Sequence, residues 1–131
     1  MIVVLDASAA VDAVLNAGSP FRSQLREADA VIAPDLIVAE ICSAFRKYVR
    51  ARIIPQDQAE RSVNTALALV STRQPMAEIV ADVLALSSRL DTSVYDLFYL
   101  ALALRAGAVL LTADQALRQT AIKAGVASPG S

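Results

Sequence analysis

The chain has 131 residues, 56% of them hydrophobic, and a mean hydropathy of +0.50. That suits one compact domain and excludes a disordered chain. A net charge of −1 and a pI near 5.3 give no global attraction for nucleic acid, so any such binding must come from a local patch. The apolar share is high for so small a domain. Either alanine inflates it, or another chain covers part of the surface.

The longest charge-free apolar stretch, Leu97 to Leu104, falls far short of the ~18 residues of a membrane span. The N-terminal apolar run has no basic region before it and is broken by Asp6, which does not read as a signal peptide. A single cysteine, Cys42, can make neither an internal disulfide nor a cysteine-rich metal site. A cytoplasmic domain is expected, folded over 1–127, with a loose tail at 128–131.

In chain order, Ile2 to Leu5 reads as a strand buried on both faces, and Ser8 to Leu15 as a helix closed by Gly18. A short helix over Pro20 to Ala28 and a strand over Ala30 to Ala33 follow. Leu36 to Ala51 has helical spacing. Pro55 and Pro75 sit near the starts of two more predicted helices, Gln56 to Thr72 and Met76 to Leu90, as proline in a first turn permits. A helix over Val94 to Arg105 stops at Gly107, a C-cap position. The strand Ala108 to Leu111 and a helix from Asp114 to Ala124 come next, and a last short strand is expected from Val126. Apolar strands alternating with helices imply an α/β fold whose mostly parallel sheet is covered on both faces.

Four acids stand where solvated charges are not expected. Asp6 ends the first strand and Asp114 follows the strand at Ala108 to Leu111, and ligand sites of open α/β sheets lie at such strand ends. Asp96 is the only charge between Val94 and Leu104, on a helix apolar nearly all round and therefore expected to be buried. Glu40 borders the apolar stripe of its helix. A cation would relieve the cost of burying such carboxylates. Each acid also has a plainer reading. Asp6 and Asp114 can cap the helices that follow them, Ser93 to Asp96 resembles a capping box, and Glu40 can be solvated or paired with an arginine.

Val4-Leu5-Asp6-Ala7-Ser8, Pro34 to Glu40, Tyr95-Asp96-Leu97-Phe98-Tyr99-Leu100-Ala101-Leu102-Ala103 and Leu111-Thr112-Ala113-Asp114 together resemble the PIN-domain family, and the whole chain resembles its VapC branch. The resemblance implies a three-layer α/β/α sandwich around a central, mostly parallel sheet of four to five short strands. It makes Asp6, Glu40, Asp96 and Asp114 the metal-binding and catalytic acids, with Ser8 and Thr112 as polar residues of the same pocket. Some relatives carry another acid after the last one, where this chain has Gln115 and Ala116. The function implied is that of the toxin of a VapBC-type toxin–antitoxin pair, an endoribonuclease. The implied partners are RNA (transfer or ribosomal), a VapB-like antitoxin and a second copy of the chain. Leu67, Leu69, Val70, Ile79, Val83 and Leu86, between Gln56 and Leu90, are expected to offer a groove for an antitoxin helix.

The residues restrict the chemistry further. The chain has no histidine, which removes the usual acid–base pair for cleavage through the RNA 2′-hydroxyl, and no Ser–His or Cys–His nucleophile can be assembled. Oxygen-only ligands favour Mg²⁺ or Mn²⁺ over zinc. The expected reaction is attack by a metal-activated water, leaving a 5′-phosphate and a 3′-hydroxyl. Arg46, Lys47, Arg50 and Arg52 form the one basic cluster and are the candidate RNA contacts. The alternative reading of the cluster is a set of cations favoured at a helix C-terminus. Phe45, Tyr48, Tyr95 and Tyr99 read by default as packing residues. A non-catalytic PIN-like module that binds RNA or protein is the alternative function. A receiver domain fits less well, since it needs paired acids after the first strand. An aspartate-nucleophile phosphatase needs Asp-x-Asp, and position 8 is serine.

Overall fold

The computed structural model describes residues 1–130; Ser131, the last residue of the expected tail, lies outside them. Its centre is a parallel sheet of β1 (Ile2–Leu5), β2 (Ala30–Pro34), β3 (Thr72–Gln74) and β4 (Val109–Leu111), in the order β3-β2-β1-β4. Helices α1 (Ala7–Leu15), α2 (Phe21–Glu27), α3 (Ile37–Arg50) and α4 (Gln56–Ala68) cover one face, and α5 (Val80–Ser87), α6 (Val94–Ala106) and α7 (Gln115–Lys123) the other. The strand period of two drives this division. Val3 and Leu5 point into the α1–α4 core, while Val4 between them packs against α5–α7. Val3, Val4 and Leu5 are all fully buried.

The chain winds from β1 outward to β2 and β3, then crosses back to place β4 on the other side of β1. The order therefore reverses between β1 and β4, which opens a crevice at their carboxyl ends. Asp6 amide donates to the Leu111 carbonyl at 3.1 Å and holds the two ends in register. The described residues form one three-layer α/β/α sandwich with a four-stranded parallel sheet, as the sequence implied.

Three expected elements change. The helix drawn from Gln56 to Thr72 stops at Ala68, and Thr72 starts β3 instead. Ser71 ends the helical path by donating its amide and its hydroxyl to the Val31 carbonyl, at 2.9 and 2.8 Å. β3 escapes a hydrophobic reading because it is a short polar edge strand, Thr-Arg-Gln, with little to bury. The helix drawn from Met76 to Leu90 is a 3-10 turn over Met76–Glu78 and then α5, separated at Ile79, whose φ of −121° is not helical. No strand forms at Val126 among the described residues. One backbone bond joins this stretch to β4, Leu110 amide to the Ala127 carbonyl at 2.9 Å, and the buried Ser128 hydroxyl donates to the Leu110 carbonyl at 2.8 Å. No helix of the described residues is long and apolar enough to cross a membrane.

The groove expected on α4–α5 is also altered. Ile79, Val83 and Leu86 are core residues, at most 3% exposed, and Val70 is buried too. Helical period turns Val83 and Leu86 inward, and the large apolar residues left outside on α5 are Val80 and Leu84.

Candidate active site

The crevice between β1 and β4 opens into a cavity of about 490 Å³, lined by Asp6, Ser8, Glu40, Asp96 and Asp114 together with Ser43, Lys47, Tyr48 and Tyr99. All four acids singled out in the sequence reach it, from four different elements.

Asp6 caps α1 and lies at its floor, 6% exposed. Its Oδ1 accepts from the Ala9 amide at 2.9 Å and the Ser8 hydroxyl at 2.7 Å, and its Oδ2 from the Thr112 hydroxyl. Burial pushes its carboxyl up to about 6, against the pull of these donors, and the charge of Glu40 adds to the rise. Thr112 is fully buried and joins both strand ends: it donates to Asp6 and accepts from the Asp114 amide at 3.0 Å. Ser8 lies 3.3 Å from the Thr112 hydroxyl and accepts from the Ala113 amide at 2.9 Å.

Asp114 caps α7. Its Oδ1 accepts from the Ala116 and Leu117 amides at 2.9 and 3.2 Å, which turns the group into the crevice with Oδ2 uncommitted. The capping reading and the pocket reading of Asp6 and Asp114 thus hold together, because a carboxylate has more acceptor sites than a cap uses. Asp96 amide donates to the Ser93 hydroxyl at 3.1 Å, the first half of a capping box, while the Asp96 carboxylate takes the Thr92 hydroxyl at 3.3 Å. Burial raises the Asp96 pKa and so does the charge of Asp114. Glu40 is half-buried in the first turn of α3 and accepts from the Tyr99 hydroxyl at 2.6 Å. Burial raises its pKa above the carboxylate norm, Tyr99 opposes that, and Asp96 adds to it.

None of the four acids takes part in a salt bridge among the described residues. As the side chains stand, no set of three or more His, Cys, Asp or Glu groups among the described residues is drawn together tightly enough to hold an ion. Each of the three more enclosed carboxylates leans on a hydroxyl instead. The donor chemistry nonetheless suits a hard divalent cation: oxygen only, several formal negative charges, and no arginine among the lining residues.

The basic cluster divides. Lys47 lines the cavity, about one turn beyond Ser43 and two beyond Glu40 on the same face of α3. Arg46 and Arg50 turn instead to a separate groove against α4, shared with Cys42, Gln56 and Glu60. Arg52 follows the helix with a φ of 59°, outside both groups. Phe45 is core, 1% exposed, whereas Tyr48 packs on it and forms one wall of the cavity. Tyr99 is the site residue that sequence reasoning missed. An aromatic on a buried apolar helix reads as packing, and only its position three residues after Asp96 pointed to the same face.

The profile of the PIN domain matches residues 3–123. The chain belongs to the PIN-domain family. Within it, this PIN domain is 33% identical over 119 residues to ribonuclease VapC9 of Mycobacterium tuberculosis, covering 91% of each chain. Its fold resembles that of VapBC2 from Rickettsia felis, solved bound to a DNA fragment from its promoter, at a TM-score of 0.73 and 14% identity over 98% of each chain. It also resembles Mycobacterium tuberculosis VapC20, a Sarcin-Ricin loop cleaving toxin, at a TM-score of 0.60 and 15% identity, over 89% of this chain and 93% of that one. The family match and the VapC9 match therefore each cover nearly the whole chain.

Proposed function

We propose that this PIN domain is a metal-dependent endoribonuclease and the toxin of a VapBC-type toxin–antitoxin pair. The observation that carries the reading is the meeting of Asp6, Glu40, Asp96 and Asp114 in one cavity with no ion pair to any of them among the described residues. Asp6 is buried and Glu40 and Asp96 are half-buried, and unpaired carboxylates in such places are costly. They are a reasonable feature of a fold that gains from them by holding Mg²⁺ or Mn²⁺. Asp6, Asp96 and Asp114 would be ligands, and Glu40 would be a further ligand or would orient the attacking water. A bound divalent ion supplies a lowered pKa for water and charge stabilisation at the phosphate.

The chain's own groups do the rest. Ser8 and Thr112 fix the Asp6 carboxylate from both oxygens, and the α7 cap fixes Asp114. Lys47 at the cavity rim is the cation placed to meet a backbone phosphate of RNA. Arg46 and Arg50 line a separate groove and Arg52 lies outside the cavity lining, so these three would contact RNA only beyond the cleavage site. Transfer or ribosomal RNA is the proposed substrate, a VapB-like antitoxin and a second copy of the chain the proposed partners, and the cytoplasm the proposed location.

The test is 5′-end mapping of cellular RNA incubated with the purified, antitoxin-free chain in Mg²⁺ or Mn²⁺, with Asp96→Asn and EDTA as controls. New 5′-phosphate ends at discrete sites, lost in both controls, are expected. Cleavage that survives Asp96→Asn would remove the site assignment. Intact RNA with a folded wild-type chain would leave a binding module in place of an enzyme.

A further inference from the structure

Tyr99 is 2% exposed, yet it ends in a hydroxyl that must find a partner. It stands one helical turn beyond Asp96, so α6 presents both to the same cavity. Its hydroxyl meets Glu40 Oε1 at 2.6 Å, across from α6 to α3. This is the one side-chain hydrogen bond recorded for the Glu40 carboxylate among the described residues. Glu40 has a long side chain with three torsions, it is only half-buried, and no cation holds it. Asp6 and Asp96 in the same cavity repel its charge, and Lys47, also in the lining, makes no ion pair with it among the described residues.

We infer that Tyr99 is a positioning residue that pins Glu40 in the cavity through Oε1 and leaves Oε2 as the oxygen turned to the ion or the attacking water. The inference rests on the nuclease reading for its consequence, while the link itself stands on geometry. Three features fit a positioning role better than a packing one. Phenylalanine would fill the same volume in this apolar helix. The hydroxyl is spent on an acid that lacks other support. And the bond joins two elements that meet at the site, so it sets the distance between Glu40 and Asp96. Asp6, Asp96 and Asp114 are each held by a hydroxyl or by backbone amides. Tyr99 performs that service for the fourth acid.

Removing the hydroxyl alone, in Tyr99→Phe, leaves the ring and the core volume and frees Glu40. The experiment compares wild type, Tyr99→Phe, Glu40→Gln and the double variant, each as the intact folded chain. Mn²⁺ binding is measured by titration calorimetry and RNA cleavage by single-site kinetics. Tyr99→Phe should bind Mn²⁺ about 3- to 10-fold more weakly and lower kcat about 10-fold or more, with KM for RNA little changed. The double variant should be no worse than Glu40→Gln, because both changes remove the same interaction. A Tyr99→Phe chain equal to wild type in Mn²⁺ affinity and in kcat overturns the inference. So does a loss that adds in full to that of Glu40→Gln, since Tyr99 would then act elsewhere. A wild-type chain that binds Mn²⁺ but cuts no RNA ends the nuclease reading, and the Mn²⁺ comparison still decides the role of Tyr99. A wild-type chain that binds no Mn²⁺ ends both.

Discussion

At the scale of single residues the site keeps three acids, Asp6, Glu40 and Asp96, where water cannot fully solvate them. Asp6 shows the consequence most directly. Its carboxyl is pushed up to about 6 by burial, from 3.8 in an unfolded chain. A raised folded-state pKa means that folding favours the protonated form, so the penalty is absent below about 4 and fully present above about 6. Across that window the metal-free chain loses roughly 3 kcal/mol from Asp6 alone, of which on the order of 1 kcal/mol falls between pH 8 and pH 5. Glu40 and Asp96 shift in the same direction. Urea midpoints taken in EDTA should therefore rise from pH 8 to pH 5 in wild type and rise less in Asp6→Asn. Parallel pH dependence in the two chains would mean that Asp6 is not the source.

These acids were legible in the sequence for a physical reason: a charge inside an apolar run or at a strand end has few structural uses. Tyr99 was not, because a phenol and a phenyl ring look alike to a hydrophobic pattern until the partner of the hydroxyl is known. Lys47 could have been separated from Arg46 and Arg50 by counting from Glu40. Residues 40, 43 and 47 share one face of a helix, whereas 46 and 50 share another.

At the scale of elements, two helix caps carry a double load. Asp114 Oδ1 satisfies the open amides of α7, while Oδ2 takes no hydrogen bond among the described residues and the side chain lines the crevice. The two duties can be separated by substitution. Asparagine still caps but offers a metal neither the charge nor a second carboxylate oxygen, whereas alanine does neither. Both Asp114→Asn and Asp114→Ala should abolish cleavage. Only the alanine variant should also lose about 1 kcal/mol of stability in chemical denaturation. Equal stability of the two would show that the cap contributes nothing.

Helix α6 carries the site from beneath. Leu100 on it is fully buried against β1 and β4 neighbours, and Leu100→Ala should cost about 3 kcal/mol. Thermal unfolding would show it, and a shift of only a degree or two would mean that the core collapses to fill the gap. Helices with a strong stripe, α3 above all, were readable to within a residue or two. β3 and the break before α5 were not: a polar edge strand has no buried face, and Ile79 continues an apolar spacing through a backbone that is no longer helical.

For the whole molecule, what matters is where the sheet reverses. Placing β4 beside β1 brings residues 6 and 114 to one crevice, and α3 and α6 then deliver Glu40 and Asp96 from opposite faces of the sheet. The site therefore exists only when all three layers are assembled, and the unfolded chain has nothing comparable to offer an ion. A ligand of that kind stabilises the folded state alone, by about 2.7 kcal/mol when present at a hundred times its dissociation constant. That is a rise of several degrees in Tm for a domain of this size. Millimolar Mn²⁺ should raise the Tm of wild type in calorimetry, and EDTA should reverse it. Asp6→Asn and Asp96→Asn should begin with a metal-free Tm at or above that of wild type, because each removes a crowded charge, and should gain little on adding Mn²⁺. The opposite pattern, variants less stable in EDTA yet still raised by Mn²⁺, would mean that the ion binds elsewhere and that these acids serve the fold rather than the chemistry.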